Sequence, residues 1–336
     1  MNKILITGAG GFIGSRVAEF LNNKGFIIYA LIHKNFTNIL KEKYISKNIN
    51  ILYGDITNVS EIRKKILKFN IDYLVHCAAI VSDVGKEKNF ERINFNSVKE
   101  LAQICIDLEM KKFIYISSTD VYGIKDFKGE KEEQLTLDNN LNNYYPKYKI
   151  KSEYWLQNNL PKKNFVIIRP AAVWGLGDKT LTPRIINFLK NSPYIIYFGQ
   201  WKGLNRWPLS HVDNVSKSIY ASIILEDLNG KAMNVLDNEY ITIKEFYQMI
   251  CNIYLPKKEF KEIYIAKWIM YFPALISTFI SNFSSNKEPI FDPSLYALNV
   301  LSSNLDFNND LFKESLFKSN QKITTLNEAL YNAPKI

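Results

Sequence analysis

A glycine-rich turn near the start of the chain, ILITGAGGFIGSRVAEFL over residues 4–21, constrains the fold most. An apolar run precedes Gly8, Gly11 and Gly14, and an amphipathic segment follows them. Such a strand–turn–helix unit suits a pyrophosphate, because its backbone amides face the ligand and the helix dipole favours negative charge. Glycines also serve ordinary turns. Their position between a strand and a helix favours the dinucleotide-binding interpretation.

The first half of the chain alternates between strand and helix periodicity. Strands are predicted at residues 4–7, 27–32, 51–53, 73–77, 113–117 and 165–169, and helices at 13–23, 59–69, 90–108 and 145–158. This alternation predicts an α/β fold with a Rossmann-type doubly wound parallel sheet. Ligands of such sheets bind at the carboxyl ends of the strands.

The second half of the chain has a less regular periodicity, and the predicted domain boundaries lie there. We predict a dinucleotide-binding domain over residues 1–172, to which residues 209–237 return. A smaller, interleaved substrate-binding domain is predicted over 173–208 and 238–336. Residues 175–208 resemble a loop, because glycine, proline, tryptophan and tyrosine are mixed there without a period.

Composition narrows the class of partner. The chain has 336 residues, 47% of them hydrophobic, and a net charge of +10. That charge favours anionic partners, although the lysines and arginines are scattered and form no nucleic-acid motif. Three cysteines make neither a disulfide framework nor a metal-ligand spacing, and the start has no signal-peptide pattern. We therefore expect a cytoplasmic protein that binds no metal and no nucleic acid.

One segment, residues 268–286, contains no charged side chain. Its length approaches that of a membrane span, but Pro273 and several serine and asparagine residues weaken that interpretation. A buried helix, or a helix at the mouth of a substrate site, is the preferred expectation, with membrane contact as the alternative.

The motif TGAGGFIGS resembles the extended short-chain dehydrogenase/reductase family, that is, the NAD-dependent epimerase/dehydratase group. GDIT, VHCAA, INFNSVKELAQIC, YISSTDVYG and IIRPAAVWGLGD resemble further motifs of the same family. The resemblance implies a nicotinamide cofactor. It places cofactor contacts at the three glycines and at Phe12, Ile13, Asp55, Ile56, Cys77, Ala78, Ala79, Asn94, Ser117, Tyr145, Lys149, Pro170 and Val173.

The end of the second strand bears on cofactor choice. Relatives that prefer NAD usually carry an acid there, whereas this chain has His33 and Lys34. A basic residue at this place can pair with the 2′-phosphate of NADP. NADP is therefore slightly favoured over NAD, with two exposed loop residues as the alternative explanation.

Family members use a tyrosine and a lysine four residues later for proton transfer. Residues i and i+4 share a helix face, so the ammonium can lower the tyrosine pKa and hold the nicotinamide ribose. Among the tyrosines of YYPKYKIKSEY, only Tyr145 has a lysine at that spacing, Lys149. Pro146 follows directly and suggests that Tyr145 lies at the helix cap. Ser118 occupies the position of the family's catalytic serine.

The substrate side is less well defined. The resemblance implies a nucleotide-activated sugar as substrate and substrate contacts at Val81, Ser118, Thr119, Asp120 and Arg206. Asp120 stands where related dehydratases carry an acid, which neither supports nor excludes a dehydratase. A 3β-hydroxysteroid or other lipid-alcohol dehydrogenase is the first alternative, and a non-catalytic cofactor-binding regulator is the second. The resemblance also implies a homodimer through helices 90–108 and 145–158.

Overall fold

The protein is described here by a computed structural model that covers residues 1–33, 36–139, 143–237, 240–283 and 292–331. Its strands are β1 Lys3–Thr7, β2 Ile27–Ile32, β3 Asn50–Tyr53, β4 Tyr73–His76, β5 Lys112–Ile116, β6 Phe165–Pro170, β7 Ala172–Trp174, β8 Tyr194–Phe198, β9 Leu209–His211, β10 Ala232–Val235 and β11 Lys261–Ile265. Its helices are α1 Phe12–Asn23, α2 Asn38–Ser46, α3 Val59–Phe69, α4 Glu87–Phe90, α5 Ser97–Asp107, α6 Tyr144–Asn159, α7 Leu181–Asn191, α8 Val212–Ile224, α9 Ile243–Tyr254, α10 Lys267–Phe283, α11 Leu295–Ser302, α12 Asp310–Lys318 and α13 Leu326–Tyr331.

Seven parallel strands form the central sheet in the order β3-β2-β1-β4-β5-β6-β10. Apart from the edge strand β3, which is partly exposed, the strands are buried on both faces, as their near-continuous runs of Ile, Leu and Val require. One face packs on α1, α8 and α12, and the other on α3, α5 and α6. The order reverses between β1 and β4, and this is where doubly wound sheets bind their ligands. The predicted doubly wound sheet is confirmed.

Residues 175–208 are more regular than the sequence indicated. They contain α7 and β8, and β8 pairs with β11 in a separate two-stranded sheet. A second small sheet joins β7 to β9. The loop prediction was therefore wrong, because Gly and Pro lie at the ends of these elements and masked the apolar periodicity between them.

Two helices also differ from the prediction. The helix predicted at 90–108 already begins at Glu87 and passes through a π-helical stretch, Glu91–Asn96, before α5. Helix α6 begins one residue before Tyr145, and the Asn143 side chain caps it by accepting a hydrogen bond of 2.9 Å from the Tyr145 amide. Tyr145 therefore lies inside the first turn of α6 and not at the cap. Pro146 lies in the same turn, where its missing N–H breaks no backbone hydrogen bond.

Helix α10 is not the buried helix that we preferred from the sequence. Its large apolar side chains are exposed, whereas Ala274, Ser277 and Ser281 are fully buried. No helix within the described ranges is long and apolar enough to cross a bilayer.

Candidate active site

The glycine turn brings the backbone of β1 against the segment that follows β4. Gly8 has a φ of +67°, and a Cβ at this position would lie 2.8 Å from the Ala78 amide nitrogen. At Gly14 a Cβ would clash with the Gly8 carbonyl oxygen, well inside van der Waals contact. Gly11 caps α1 with its backbone and leaves the first turn of that helix, at Phe12 and Ile13, without a side-chain cap. The turn thus offers a cradle of backbone amides at a helix N-terminus.

Hydrogen bonds fix the segment after β4 in place. The Thr7 hydroxyl lies 2.9 Å from His76 Nδ1 and accepts a hydrogen bond of 3.3 Å from the Ala78 amide. The Asn94 side-chain amide exchanges two hydrogen bonds of 2.8 Å with the backbone of Ile80. Asn94 therefore positions the backbone beside the site. Any part it has in cofactor binding would act through residues 78–80.

Burial keeps the strand end at His76 uncharged. Burial, and to a lesser extent the nearby Lys149, lowers the pKa of His76 to about 3. Burial also keeps the Cys77 thiol uncharged, because it raises the pKa of this thiol to about 12. Neither group is ionised near neutral pH, so this side of the site is apolar in character.

Ser117 and Ser118 follow β5 at the carboxyl edge of the sheet. Ser117 is buried, and its hydroxyl has no hydrogen-bond partner among the residues that the structure describes. Ser118 accepts a hydrogen bond of 3.2 Å from the Asp120 amide and lies close enough to the Tyr145 phenol to lower the Tyr145 pKa. Burial and the Asp120 carboxylate outweigh this, so the pKa of Tyr145 is raised overall.

Lys149 lies under Tyr145 on the same face of α6. Its ammonium donates a hydrogen bond of 2.5 Å to the Ile116 carbonyl and lies 5.8 Å from the centre of the Tyr145 ring. Burial lowers the pKa of Lys149 to about 8. The Tyr145 pKa is raised, first by burial and then by Asp120, so the net lowering expected beside this lysine is not found.

The other tyrosines of the segment face elsewhere. The Tyr148 phenol donates a hydrogen bond of 3.2 Å to Glu87, and the Tyr144 ring packs 5.9 Å from that of Phe90. Among the three tyrosines at 144, 145 and 148, the structure brings only Tyr145 to both Ser118 and Lys149.

A buried ion pair holds this face of α6 against β6. Glu153 accepts hydrogen bonds of 3.0 and 3.1 Å from the Arg169 side chain, which also donates one of 2.7 Å to the Tyr122 hydroxyl. Burial alone would lower the Arg169 pKa, but Glu153 raises it. Because Glu153 lies four residues after Lys149, this contact sets the rotation of the helix that carries the lysine.

Sequence reasoning missed part of the substrate side. Tyr296 of α11 lies close enough to Asp120 to lower its pKa, whereas burial, the largest effect, and Asp83 raise it. The Ser294 hydroxyl donates a hydrogen bond of 2.7 Å to Asp83. Arg184 of α7 pairs with both Asp83 and Asp292. These residues share no motif, and their distance along the chain from the catalytic helix hid them.

Other predicted residues lie at the edges of the site. His33 Nε2 is 3.4 Å from an Asp55 carboxylate oxygen. The Thr57 backbone amide lowers the pKa of Asp55 most, with His33 and Arg92 acting in the same direction. Lys34 falls outside the described residues. Ile56, Ala79, Pro170 and Val173 lie at or just beyond the carboxyl ends of β3, β4 and β6, and Thr119 is buried beside Ser118, whereas Val81 is exposed.

The Arg206 side chain pairs with residues away from Tyr145. Its guanidinium lies 3.0 Å from Asp306 and stacks 4.4 Å from the centre of the Tyr240 ring. Neither partner belongs to the group formed by Asp83, Asp120, Tyr145 and Tyr296. No cluster of three or more potential metal ligands occurs in the part of the chain that the structure describes.

A family model described as NAD dependent epimerase/dehydratase family matches residues 4–235. The chain belongs to this family. Its members are enzymes, so the protein is an enzyme of the epimerase/dehydratase type. The dinucleotide expected for the family fits two features of this chain: the backbone cradle at Gly8 and the unpartnered, buried Ser117 hydroxyl.

Relatives of this epimerase/dehydratase chain act on different substrates. Sterol-4-alpha-carboxylate 3-dehydrogenase, decarboxylating, of Mus musculus is 27% identical over 312 residues, 88% of this chain and 81% of that protein. The dTDP-D-glucose 4,6-dehydratase of Dictyostelium discoideum is 24% identical and covers 75% of this chain and 62% of its own length. The structure of UDP-glucuronic acid 4-epimerase from Bacillus cereus, with UDP-glucuronic acid and NAD, has a TM-score of 0.70 at 20% identity and covers 98% of this chain and 96% of that one. The last likeness shows the shared fold.

Proposed function

We propose that this enzyme transfers hydride between a nicotinamide cofactor and a hydroxyl-bearing ring carbon of a nucleotide-activated sugar, as an epimerase or keto-reductase. The observation that carries the proposal is the grouping of Ser118, Tyr145 and Lys149 at the carboxyl edge of the sheet. A bound nicotinamide would supply the hydride acceptor or donor.

The chain's own residues handle the proton. Ser118 would hydrogen-bond the reacting hydroxyl. Tyr145, as a phenolate, would take the proton of that hydroxyl as the carbon loses hydride, and as a phenol it would donate a proton in the reduction. The raised pKa of Tyr145 in the chain alone keeps the phenol protonated near neutral pH. The positive charges of Lys149 and of an oxidised nicotinamide would both favour the phenolate during oxidation.

For the cofactor, we propose a slight preference for NADP over NAD. His33 is exposed beside Asp55 at the end of β2, and no acid ends that strand. Fluorescence titration with NADPH and NADH tests the preference, and His33→Asp should shift it toward NADH. We expect NADPH to bind at least as tightly as NADH. Tenfold tighter binding of NADH by the unaltered protein would contradict the proposal.

A lipid alcohol is the second candidate substrate, and two observations favour it. Arg206, the residue expected to pair with a sugar-nucleotide pyrophosphate, is held by Asp306. The substrate side also borders α10, whose large apolar side chains are exposed. The net charge of +10 and the similarity to a sugar-nucleotide dehydratase support the first candidate instead.

A ligand screen separates the two candidates. Nucleotide diphosphate sugars and sterols are added separately to the protein with NADP, and melting temperature, cofactor reduction and the sugar product are followed. The product is needed because epimerisation leaves the cofactor with no net change of oxidation state. Ligands that bind the native state raise its melting temperature. Stabilisation and turnover with a sugar nucleotide would support the first candidate. Stabilisation by sterols and by no sugar nucleotide would replace it with the second. A Tyr145→Phe control identifies turnover that depends on this site.

A further inference from the structure

In helix α10 the large apolar residues and the small residues have exchanged the sides that they occupy in an ordinary surface helix of a soluble protein. Trp268 is 75% exposed and Phe272 is 69% exposed, whereas Ala274 and Ser277 are fully buried. Further apolar side chains on the exposed side are Ile269, Leu275, Ile276 and Ile280. A helix on the surface of a soluble protein normally turns its large apolar side chains toward the core. Here the small residues face inward and the large ones face out.

The small inward residues have a clear structural use. Ala274 packs with Phe198 of β8 and Leu298 of α11, so the helix lies close to its neighbours. The Thr278 hydroxyl accepts a hydrogen bond of 2.9 Å from the Leu295 amide, at the start of α11. The orientation of α10 is therefore fixed by specific contacts, and its exposed apolar surface is a consequence of the fold.

This surface borders the substrate side. Helix α11, against which α10 packs, carries Tyr296, which lies close enough to Asp120 to lower its pKa. At the other end of α10, Asn282 accepts a hydrogen bond of 3.1 Å from the Gly85 amide, two residues after Asp83. The exposed face of α10 and the catalytic group are thus joined through α11 and the segment at residues 83–85.

We propose that the exposed face of α10 binds the surface of an anionic lipid bilayer and holds the substrate side of the enzyme at that surface. This inference goes beyond the proposed reaction and applies to either substrate class. An interfacial helix buries an apolar face with aromatic residues among the headgroups. Trp268 and Phe272 fit that pattern, no charged residue lies from 268 to 283, and the net charge of +10 complements anionic lipid.

A second copy of the chain fits this face less well. The 17 residues of α10 form a helix about 25 Å long. At a width of about 10 Å, one face offers roughly 250 Å² per copy, against the roughly 800 Å² per partner of a stable interface. A bilayer needs no such area from a complementary surface, because its lipids adapt to the helix.

Vesicle flotation tests the proposal with the full chain. The protein is mixed with vesicles of phosphatidylcholine containing phosphatidylglycerol, and Trp268→Ser/Phe272→Ser is compared with Phe317→Ser. Phe317 is 85% exposed but belongs to α12, so it is a matched control. We expect the unaltered protein and the control to float with the vesicles, and the double variant to lose at least tenfold in partitioning. Higher salt should weaken binding.

Three outcomes would overturn the proposal. The unaltered protein could fail to float, the double variant could float equally well, or light scattering could show a dimer that the double substitution dissociates. A second measurement guards against misfolding of the double variant. Lipids brominated in the acyl chain should quench tryptophan fluorescence of the unaltered protein, and Trp268→Phe should remove most of that quenching. Quenching that persists unchanged in Trp268→Phe would also contradict the proposal.

Discussion

The proposed cofactor side and the proposed substrate side of this enzyme are assembled in different ways. On the cofactor side, the backbone of the glycine turn packs directly on the backbone at Ala78. A Cβ at Gly8 would lie less than 3 Å from two backbone atoms of Ala78. On the substrate side, Asp83, Asp120 and Tyr296 meet through side chains from three separate segments of the chain. Backbone contacts restrict the residue types permitted, whereas side-chain contacts leave them open.

This difference explains which parts of the site a short sequence motif can reveal. A turn that excludes any Cβ demands glycine at fixed positions, so the demand is visible in the residues themselves. An acid beside a tyrosine from a remote helix leaves no local pattern, since only the packing of α10 and α11 brings Tyr296 to Asp120. Four changes, ordered from the largest expected effect to the smallest, test this distinction.

Tyr145→Phe should have the largest effect, because Tyr145 lies where the two sides meet. Loss of a general acid–base group typically lowers the rate by about 10²- to 10⁴-fold, and we expect a fall in kcat of that size with cofactor affinity retained. Tyr148→Phe is the matched control, since that phenol bonds Glu87 instead. Steady-state kinetics on a substrate from the ligand screen measures both. A severe loss in Tyr148→Phe with a mild one in Tyr145→Phe would show that the register is wrong.

Much of the fold could be predicted because its signals are local. Helix α3 was predicted with its observed bounds, Val59–Phe69, since apolar spacing and a cap mark both ends. Helix α7 and strand β8 were missed, because their ends are rich in Gly and Pro and their apolar faces are completed by distant elements. The exposed face of α10 could not be read from composition, since an uncharged apolar run has the same sequence signature whether buried or exposed.

The second prediction concerns pH and Lys149. Burial lowers the pKa of Lys149 to about 8, whereas an unfolded lysine titrates near 10.5. Between these values the unfolded chain binds more protons, so the free energy of unfolding should rise with pH relative to Lys149→Met, by about 3 kcal/mol in total. Below about pH 8 both states are protonated and the difference between the two proteins should be flat. Lys112, whose pKa burial also lowers to about 8, is present in both and cancels.

Urea denaturation at a series of pH values measures this difference. A gap between the two proteins that stays constant from pH 7 to about 10.5 would contradict a buried, charged Lys149. It would also weaken the place of this lysine beneath Tyr145, where only a protonated ammonium favours the phenolate.

The third prediction tests the backbone contact on the cofactor side. Gly8 and Gly25 both have positive φ, +67° and +86°, but only Gly8 has a neighbour within 4 Å of the added Cβ. Alanine at either position costs about 1–2 kcal/mol of left-handed strain. Gly8→Ala should cost about 1–3 kcal/mol more, because the Ala78 backbone must move, and it should weaken cofactor binding. Equal destabilisation of the two variants, measured by urea denaturation, would mean that the turn is looser than described.

The smallest effect is expected on the substrate side, at Arg206. Its pair with Asp306 is 3.0 Å long and the arginine side chain is 45% exposed, and such pairs typically contribute about 0–1 kcal/mol. Arg206→Ala should therefore leave the melting temperature nearly unchanged, and Arg206→Lys is the charge-retaining control. If a sugar nucleotide draws Arg206 away from Asp306, KM for that substrate should rise at least tenfold in Arg206→Ala, with NADPH affinity unaltered, because a bidentate contact to phosphate is lost. If the substrate is a lipid alcohol, KM should not change. A change in NADPH affinity would contradict both outcomes and would place Arg206 on the cofactor side of the comparison.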